Sequence, residues 1–303
     1  MGALSRTQIR IRELAGKNDV SILAHNYQIK EIQEIADIVG DSLVLAMKAT
    51  KVRQSNILFC GVDFMAESAK ALNPEKKVIH PVPGSICPMA QMVDIEILEE
   101  VKRENPGAPV VAYVNTTAET KAHADICCTS ANAVKVVRSL QEKDIIFIPD
   151  SNLGAYVQTQ VPEKKIILWA GYCHVHRDIT PEHIGEMKNA HPHAKVMVHP
   201  ECSLDVIALA DEVASTEGMI KYAEKSDAVE FIVGTEEGLV HRMRREIPGK
   251  VFHPIPTAIC PNMKKITLDD VLKALENMGP EVHLDPDIIE RNKPPLQRML
   301  DVV

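Results

Sequence analysis

The chain has 303 residues, of which 34 are Lys or Arg and 42 are Asp or Glu, so its formal net charge is −8. Apolar residues make up 45% and charged residues 25%, a composition that excludes a mainly disordered chain. The acidic balance, together with one Trp, five Tyr and five Phe, argues against nucleic-acid binding, which needs a basic face and stacking rings.

In chain order, short apolar runs alternate with segments of helical periodicity. The first copy of this pattern predicts strands at 22–24, 37–40, 56–60 and 77–80, a helical spacing at 32–36, and helices at 42–48 and 64–72. Ser42 is expected to be the N-cap of the helix at 42–48. Strand–helix alternation predicts parallel sheets covered by helices on both faces.

One sequence pattern occurs three times along the chain. Each copy carries an Ala-Asp pair and, six residues after the Ala, a hydroxyl side chain. The copies are Ala36-Asp37 with Ser42, Ala124-Asp125 with Ser130, and Ala210-Asp211 with Thr216. In addition, the stretches 80–88 and 253–261 are identical at six of nine positions. The pattern predicts three similar units of about 86 residues.

These units are expected at 1–84, 85–172 and 173–262, each a three-layer α/β/α unit with a parallel sheet. The remaining segment, 263–303, is expected to complete the first unit. There Thr267 can cap a helix at 268–278, and Asp287 begins another. Three like units joined head to tail can close around a pseudo-threefold axis, which would bring equivalent loops at the carboxyl ends of the strands together.

Three of the seven cysteines occupy the same place in each copy: Cys87, Cys173 and Cys260 lie 86 and 87 residues apart. Three symmetric thiols suit a metal that keeps one coordination position open, and thiolates select zinc or an iron–sulfur cluster. A [4Fe-4S] cluster on three cysteines would leave one iron free for a substrate hydroxyl. The spacing is not that of ferredoxins, so an electron carrier is not expected. Simple burial of the three thiols is the alternative.

The other thiols receive a simpler interpretation. Cys60, Cys127 and Cys128 are expected to be buried and inert, and Cys202 is ambiguous. The run from Cys173 to His176 could be a local zinc motif, but exposed loop histidines explain it equally well. No apolar run approaches the roughly 18 residues of a membrane span, and the charged first 17 residues lack a signal-peptide core. We therefore expect a cytoplasmic protein with reduced thiols and no membrane association.

Polar residues at the strand ends indicate a binding site. The three hydroxyl residues are expected to cap helices, and caps that converge on one cavity would offer N–H groups to a small anion such as a carboxylate or phosphate ester. His25 and His199 occupy the same offset in the first and third copies, which modestly favours ligand binding or proton transfer. Tyr27, Tyr113 and Glu201 lie at the same strand ends.

Taken together, these residues resemble the quinolinate synthase family over essentially the whole chain. The resemblance rests on short motifs spread along the three copies. They are 24–27, 40–42, 61–67, 113–115, 129–133, 199–202 and 215–216, together with the three spaced cysteines. It implies three similar α/β domains around a pseudo-threefold axis, in agreement with the repeat.

The resemblance also implies an activity. The family condenses iminoaspartate with dihydroxyacetone phosphate to give quinolinate, phosphate and water in de novo NAD biosynthesis, with a [4Fe-4S] cluster that eases dehydration. An aminosuccinate oxidase or dehydrogenase is the implied metabolic partner, because iminoaspartate is short-lived.

The same resemblance assigns roles to residues of this chain. Cys87, Cys173 and Cys260 would hold the cluster. Tyr27, Glu201 and His199 would be catalytic, the first two by proton transfer, and Tyr113 with Asn115 would hold the dicarboxylate. The substrate-binding positions it implies are His25, Ser42, Tyr113, Val114, Asn115, Ser130, His199, Pro200, Glu201 and Thr216.

Two other functions stay open on the sequence alone. A hydro-lyase with a three-cysteine [4Fe-4S] cluster would act on a hydroxy acid and need no phosphate site. A non-catalytic metal-binding scaffold built from three repeats would explain the cysteines but not the hydroxyl, histidine and tyrosine sets at the strand ends.

Overall fold

The computed structural model describes residues 4–302, and within that range it contains three four-stranded parallel sheets. The strands are β1 (Val20–His25), β2 (Ile38–Gly40), β3 (Asn56–Cys60), β4 (Lys77–Ile79), β5 (Val110–Tyr113), β6 (Ile126–Cys128), β7 (Asp144–Ile148), β8 (Lys165–Leu168), β9 (Lys195–Val198), β10 (Glu212–Val213), β11 (Glu230–Gly234) and β12 (Val251–Pro254). The sheet orders β2-β1-β3-β4, β6-β5-β7-β8 and β10-β9-β11-β12 are the same topology three times, which confirms the predicted repeat of α/β units.

Helices cover the sheets, as expected for strands that are buried along their length, such as all six residues of β1. They are α1 (Arg6–Lys17), α2 (Lys30–Ile35), α3 (Ser42–Ala49), α4 (Asp63–Leu72), α5 (Ile95–Glu104), α6 (Ala118–Lys121), α7 (Ala133–Ser139), α8 (Ser151–Gln160), α9 (His174–Arg177), α10 (Pro181–Ala190), α11 (Leu204–Ile207), α12 (Thr216–Lys225), α13 (Gly238–Glu246), α14 (Leu268–Asn277) and α15 (Pro286–Asp301). Two short 3₁₀ helices lie at Met89–Gln91 and Met263–Lys265. Among these helices of the described chain, none is long and apolar enough to cross a membrane.

The repeated Ala-Asp pair has a structural role that is the same in all three sheets. The aspartate lies just before the second strand of each unit, and its Oδ2 accepts a backbone N–H of the first strand. The bonds are Ile22 N–H to Asp37 at 2.8 Å, Val110 N–H to Asp125 at 2.7 Å, and Val196 N–H to Asp211 at 2.8 Å. This contact fixes the second strand beside the first, so the loops after both strands open at the same edge of the sheet.

The expected helix caps are wrong at all three hydroxyl residues. Asp41, not Ser42, accepts the N–H of Val44 and caps α3. Ser215, not Thr216, accepts the N–H of Gly218 and caps α12, while Asn132 is the cap residue of α7, two positions after Ser130. Because neighbouring residues hold the cap positions, the three hydroxyl side chains are free for other contacts.

The first half of the C-terminal segment packs on the first unit, as predicted. The second half contacts the second unit as well. Thr267 caps α14, whose apolar face joins the core formed with α1, and Asn18 donates to the Leu275 carbonyl at 2.9 Å. In contrast, Leu296 of α15 belongs to the core that spans the first two sheets, and Asn292 donates to the Ala118 carbonyl at 2.7 Å. This last helix therefore contacts the second unit as well as the first. The residue boundaries of the units stay a prediction.

Candidate active site

The carboxyl ends of the three sheets surround one cavity. Residues from all three units line it, as expected for loops that converge on a pseudo-threefold axis. The site residues predicted from the sequence that line this cavity are His25, Tyr27, Ser42, Cys87, Tyr113, Asn115, Ser130, Cys173, His199, Glu201, Thr216 and Cys260. Val114 instead lines a smaller apolar cavity alongside, and Pro200 is buried without lining the main one.

The three spaced cysteines lie in equivalent loops. Cys87 follows β4, Cys173 follows β8 and Cys260 follows β12, and all three thiols are free. Burial raises the pKa of each thiol, to about 12 for Cys87, where the Cys260 charge adds to the effect of burial. Buried thiols at one cavity therefore stay protonated unless a cation compensates their charge, which is what a bound metal centre does. The donor set fits a centre held by three thiolates.

The remaining four cysteines lie apart from this cavity. Cys60, Cys127 and Cys128 are fully buried among apolar side chains, which confirms the expectation for them. Cys202, which the sequence left ambiguous, is buried too, and its thiol contacts the Gly234 carbonyl at 3.7 Å. Burial raises the pKa of all four thiols, so they have the character of inert core residues.

His25 and His199 are held in the same way, which explains their matched offset. In each case Nδ1 accepts a backbone N–H two residues on, from Tyr27 at 3.2 Å and from Glu201 at 3.3 Å. Burial lowers the pKa of both rings to about 3, so both are neutral and carry their proton on Nε2. Nε2 of His199 lies 3.1 Å from the Ser130 hydroxyl. The two histidines therefore act as neutral hydrogen-bond donors at the cavity.

A chain of hydrogen bonds joins Tyr27 to Glu201 through Thr235 and His176, two residues to which the sequence assigned no proton-transfer role. The Tyr27 hydroxyl lies 2.7 Å from the Thr235 hydroxyl, which lies 2.8 Å from Nε2 of His176. Nδ1 of His176 lies 2.5 Å from Oε2 of Glu201 and 3.2 Å from the Cys173 thiol. Each link is satisfied when Tyr27 donates to Thr235, Thr235 to His176 and His176 to Glu201.

Charge at the centre of the cavity is set by Glu201. Burial alone would raise its pKa, but the adjacent His176, which is hydrogen-bonded to the carboxylate, opposes burial, and the pKa is lowered below its ordinary value. For Tyr27 and Tyr113, burial and then the Glu201 carboxylate raise the pKa well above its ordinary value. The cavity thus pairs one ionised carboxylate with two protonated phenols, which is a suitable set for moving protons.

The interpretation of His176 as an exposed loop residue is wrong. His176 is 1% exposed and stacks on His199, with ring centroids 4.5 Å apart. The α9 turn that starts directly after Cys173 directs this side chain inward, while His174 at its first position is half-buried. The spacing from Cys173 could have suggested that His176 faces the cavity, because residues three apart lie on the same face of a helix.

The Thr216 hydroxyl is held in place by a residue of another unit. Nδ2 of Asn26 donates to the Thr216 hydroxyl at 2.8 Å, and Oδ1 of the same amide accepts from Arg242 at 2.8 Å. Arg242 also forms an ion pair with Glu217. A polar side chain of the first unit thus holds a cavity residue of the third, so the site forms only when the units are assembled.

Two buried polar atoms at the cavity have no partner within the described chain: Oδ1 of Asn115 and Oε1 of Glu201. An unpaired buried acceptor costs about 1–3 kcal/mol. Such atoms are expected where a ligand supplies the missing donor. They lie at two of the strand ends where the sequence places substrate contacts.

Stability should fall in mild acid because His25 and His199 stay neutral when folded. Their folded pKa of about 3 lies below the unfolded value of about 6.5, so the unfolded chain binds more protons between these pH values. Each histidine then lowers the free energy of unfolding by about 1.4 kcal/mol per pH unit below about pH 6.5.

Urea denaturation of the metal-free protein from pH 7 to pH 4.5 measures this effect. The double variant His25→Gln, His199→Gln should show a shallower decline than the parent chain, by about 2.7 kcal/mol per pH unit. His193→Gln, at an exposed histidine, is the control and should keep the parental slope. Parallel curves for the parent and the double variant would contradict the neutral state of the two rings.

Comparison with known proteins shows the family of the chain. A family model described as quinolinate synthetase A protein matches residues 9–301. A protein of Dehalococcoides mccartyi named quinolinate synthase is 52% identical over 295 residues, which are 97% of this chain and 97% of that protein. Proteins of the same name from a Geobacter species and from Thermodesulfovibrio yellowstonii are 51% and 50% identical, over 96% and 99% of both chains. The chain therefore belongs to the quinolinate synthase family and is an enzyme.

Proposed function

We propose that this enzyme condenses iminoaspartate with dihydroxyacetone phosphate to form quinolinate, phosphate and water in de novo NAD biosynthesis. The observation that carries the proposal is the single cavity where three equivalent cysteines meet strand-end residues of all three units. The names of the relatives support the same activity. An aminosuccinate oxidase or dehydrogenase would supply the imine.

Cys87, Cys173 and Cys260 would hold a [4Fe-4S] cluster. When bound, such a cluster supplies a Lewis-acidic iron with an open coordination position for a substrate oxygen. The free thiols, their burial in one cavity and their equivalent loops support this assignment.

Substrate anions would bind to neutral donors rather than to a basic patch. The Nε2–H groups of His25 and His199 and the hydroxyls of Ser42, Ser130 and Thr216 are suited to phosphate or carboxylate oxygens. Tyr113 and Asn115 would hold the dicarboxylate, and Val114 and Pro200 would contribute through the backbone around them. Burial of the cavity strengthens each of these hydrogen bonds.

Tyr27 and Glu201 would exchange protons with the substrate, with His199 beside them. Protonated Tyr27 can donate, and ionised Glu201 can accept. The hydrogen-bonded path through Thr235 and His176 would let the proton pass from one to the other without bulk water. The same two groups can therefore be reset between successive proton transfers.

A different metal centre is the main competing possibility. One ligand atom each from Cys173, His176 and Glu201 lie within 4.8 Å of one another, so this group could hold a single ion such as zinc. A three-cysteine [4Fe-4S] hydro-lyase is the second enzyme candidate, but it needs no site for a phosphate ester. A non-catalytic scaffold does not explain the unpaired buried acceptors.

Purification without oxygen tests the metal and the reaction together. We expect about four iron and four sulfide per chain and a broad visible absorption that air bleaches. Zinc without labile sulfide would overturn the cluster assignment. Incubation with iminoaspartate and dihydroxyacetone phosphate should release phosphate and form quinolinate in equal amounts. Dehydration of a hydroxy acid without phosphate release would favour the hydro-lyase.

A further inference from the structure

Each cysteine loop is attached to the start of a helix that adjoins the same sheet. The helix follows the third strand of that sheet in chain order, and a backbone N–H at the helix start donates to the carbonyl two residues before the cysteine. The three bonds are Asp63 N–H to Ser85, Ser151 N–H to Gly171 and Glu237 N–H to Ala258, each at 2.9 Å. The loops are therefore held at equivalent points.

A carboxylate at the same helix start makes a second contact, directly to the cysteine backbone. The bonds are Cys87 N–H to Asp63 at 3.1 Å, Cys173 N–H to Asp150 at 3.3 Å, and Cys260 N–H to Glu236 at 3.1 Å. The chain separations are 24, 23 and 24 residues. We call Asp63, Asp150 and Glu236 the loop carboxylates.

Two of the three loop carboxylates are also held by their own helices. The other oxygen of Asp150 accepts the N–H groups of Asn152 and Leu153, at 2.8 and 2.9 Å. The other oxygen of Glu236 accepts the Gly238 N–H at 2.7 Å. Free N–H groups at a helix start bond these oxygens and so fix the position of the acceptor.

In three separate stretches of sequence, a carboxylate thus accepts the backbone N–H of a cavity cysteine. The third unit does so with a glutamate where the other two use aspartate, so the contact is kept although the side chain differs. Packing by chance would not select the cysteine N–H in all three units. The contact serves the cysteines, because its three occurrences coincide with the three thiols that line the cavity.

We propose that Asp63, Asp150 and Glu236 are positioning residues that preorganise the three cysteines as ligands of the metal centre. The inference rests on the proposed function, in which those cysteines hold a cluster. Loops without such contacts would have to be ordered when the metal binds, at a cost in affinity, and partners that orient ligands are commonly worth ten- to hundredfold in metal affinity.

Asp63 is the best position for a test. In the described part of the chain its side chain bonds the Cys87 N–H and caps no helix, whereas Asp150 also caps α8. Asp63→Ala removes the acceptor, and Asp63→Asn keeps the shape with a weaker, neutral acceptor. Asp94→Ala is the matched control, because Asp94 caps α5 on the surface and bonds Ile97.

The measurement is the rate at which cluster-loaded protein releases iron to a chelator without oxygen. We expect Asp63→Ala to release iron about ten- to hundredfold faster than the parent chain, Asp63→Asn severalfold faster, and Asp94→Ala at the parental rate. If the alanine variant does not fold, the asparagine variant decides, and the parental rate in it would overturn the proposal.

Other outcomes are equally decisive. The parental rate in Asp63→Ala would overturn the positioning role while leaving the cluster assignment intact. Equal acceleration in Asp63→Ala and Asp94→Ala would assign the effect to general loss of helix stability and overturn it too. A parent chain that holds no iron and sulfide would instead show that the proposed function itself has failed.

Discussion

Replacing Cys173 with serine is expected to give a folded protein that holds no complete cluster and forms no measurable quinolinate. The thiol lines the cavity, and its neutral serine replacement neither ionises near neutral pH nor binds iron as a thiolate does. Iron and sulfide analysis after anaerobic purification measures the first effect, and quinolinate formation measures the second. Cys87→Ser and Cys260→Ser should behave in the same way, because the three thiols are equivalent.

The matched control is the same change at a cysteine outside the cavity. Cys128 is fully buried in a strand of the second sheet, so Cys128→Ser should lower stability but keep the cluster. Loss of the cluster from Cys128→Ser with retention in Cys173→Ser would show that the wrong thiols have been assigned. Thermal denaturation of all variants separates loss of metal from loss of fold.

The fold could be predicted from the sequence because its signals are repeated. One Ala-Asp pair predicts little, but three copies in register indicated one topology three times. The structure explains the pair: Asp37 and its two counterparts hold the second strand against the first. The predicted elements of the first copy are all present, and the expected short strand at 37–40 is β2.

The helix caps were misplaced because sequence fixes a helix start only to within a residue or two. Aspartate and serine are both good N-cap residues, and Asp41 precedes Ser42 directly. The structure gives the cap to Asp41, which leaves the Ser42 hydroxyl at the cavity. Because Asp41 is the cap, the Ser42 hydroxyl does not bond the helix start and is available to a ligand in the cavity.

The residues that the sequence missed are those whose partners come from elsewhere in the chain. Thr235 lies 59 residues from His176 and 208 residues from Tyr27, so no local pattern reveals their contacts. The loop carboxylates lie 23 or 24 residues from their cysteines and differ in type between units. The Tyr27 contact depends on how the units close on one another, and the carboxylate contacts depend on how a loop folds back beside its own sheet, so neither is visible in a local sequence pattern.

Tyr27→Phe is expected to keep the cluster and slow turnover by about a hundred- to ten-thousandfold, the range that a general acid or base contributes. The phenylalanine ring preserves the packing against His25 but removes the donor to Thr235, where the path toward Glu201 begins. Glu201→Gln should slow turnover to a similar extent, because an amide does not accept a proton near neutral pH. Tyr222→Phe, in the third unit away from the cavity, is the control and should keep the parental rate.

Single-turnover measurements on the cluster-loaded variants show whether Tyr27 and Glu201 act along one path or independently. If Tyr27 and Glu201 exchange protons along one path, the double variant should be little slower than either single variant, because removing one end already interrupts transfer. Independent roles would instead give multiplicative losses. Near-parental rates in Tyr27→Phe, with iron and sulfide retained, would remove the tyrosine from the chemistry and leave Glu201 to exchange protons with solvent or substrate alone.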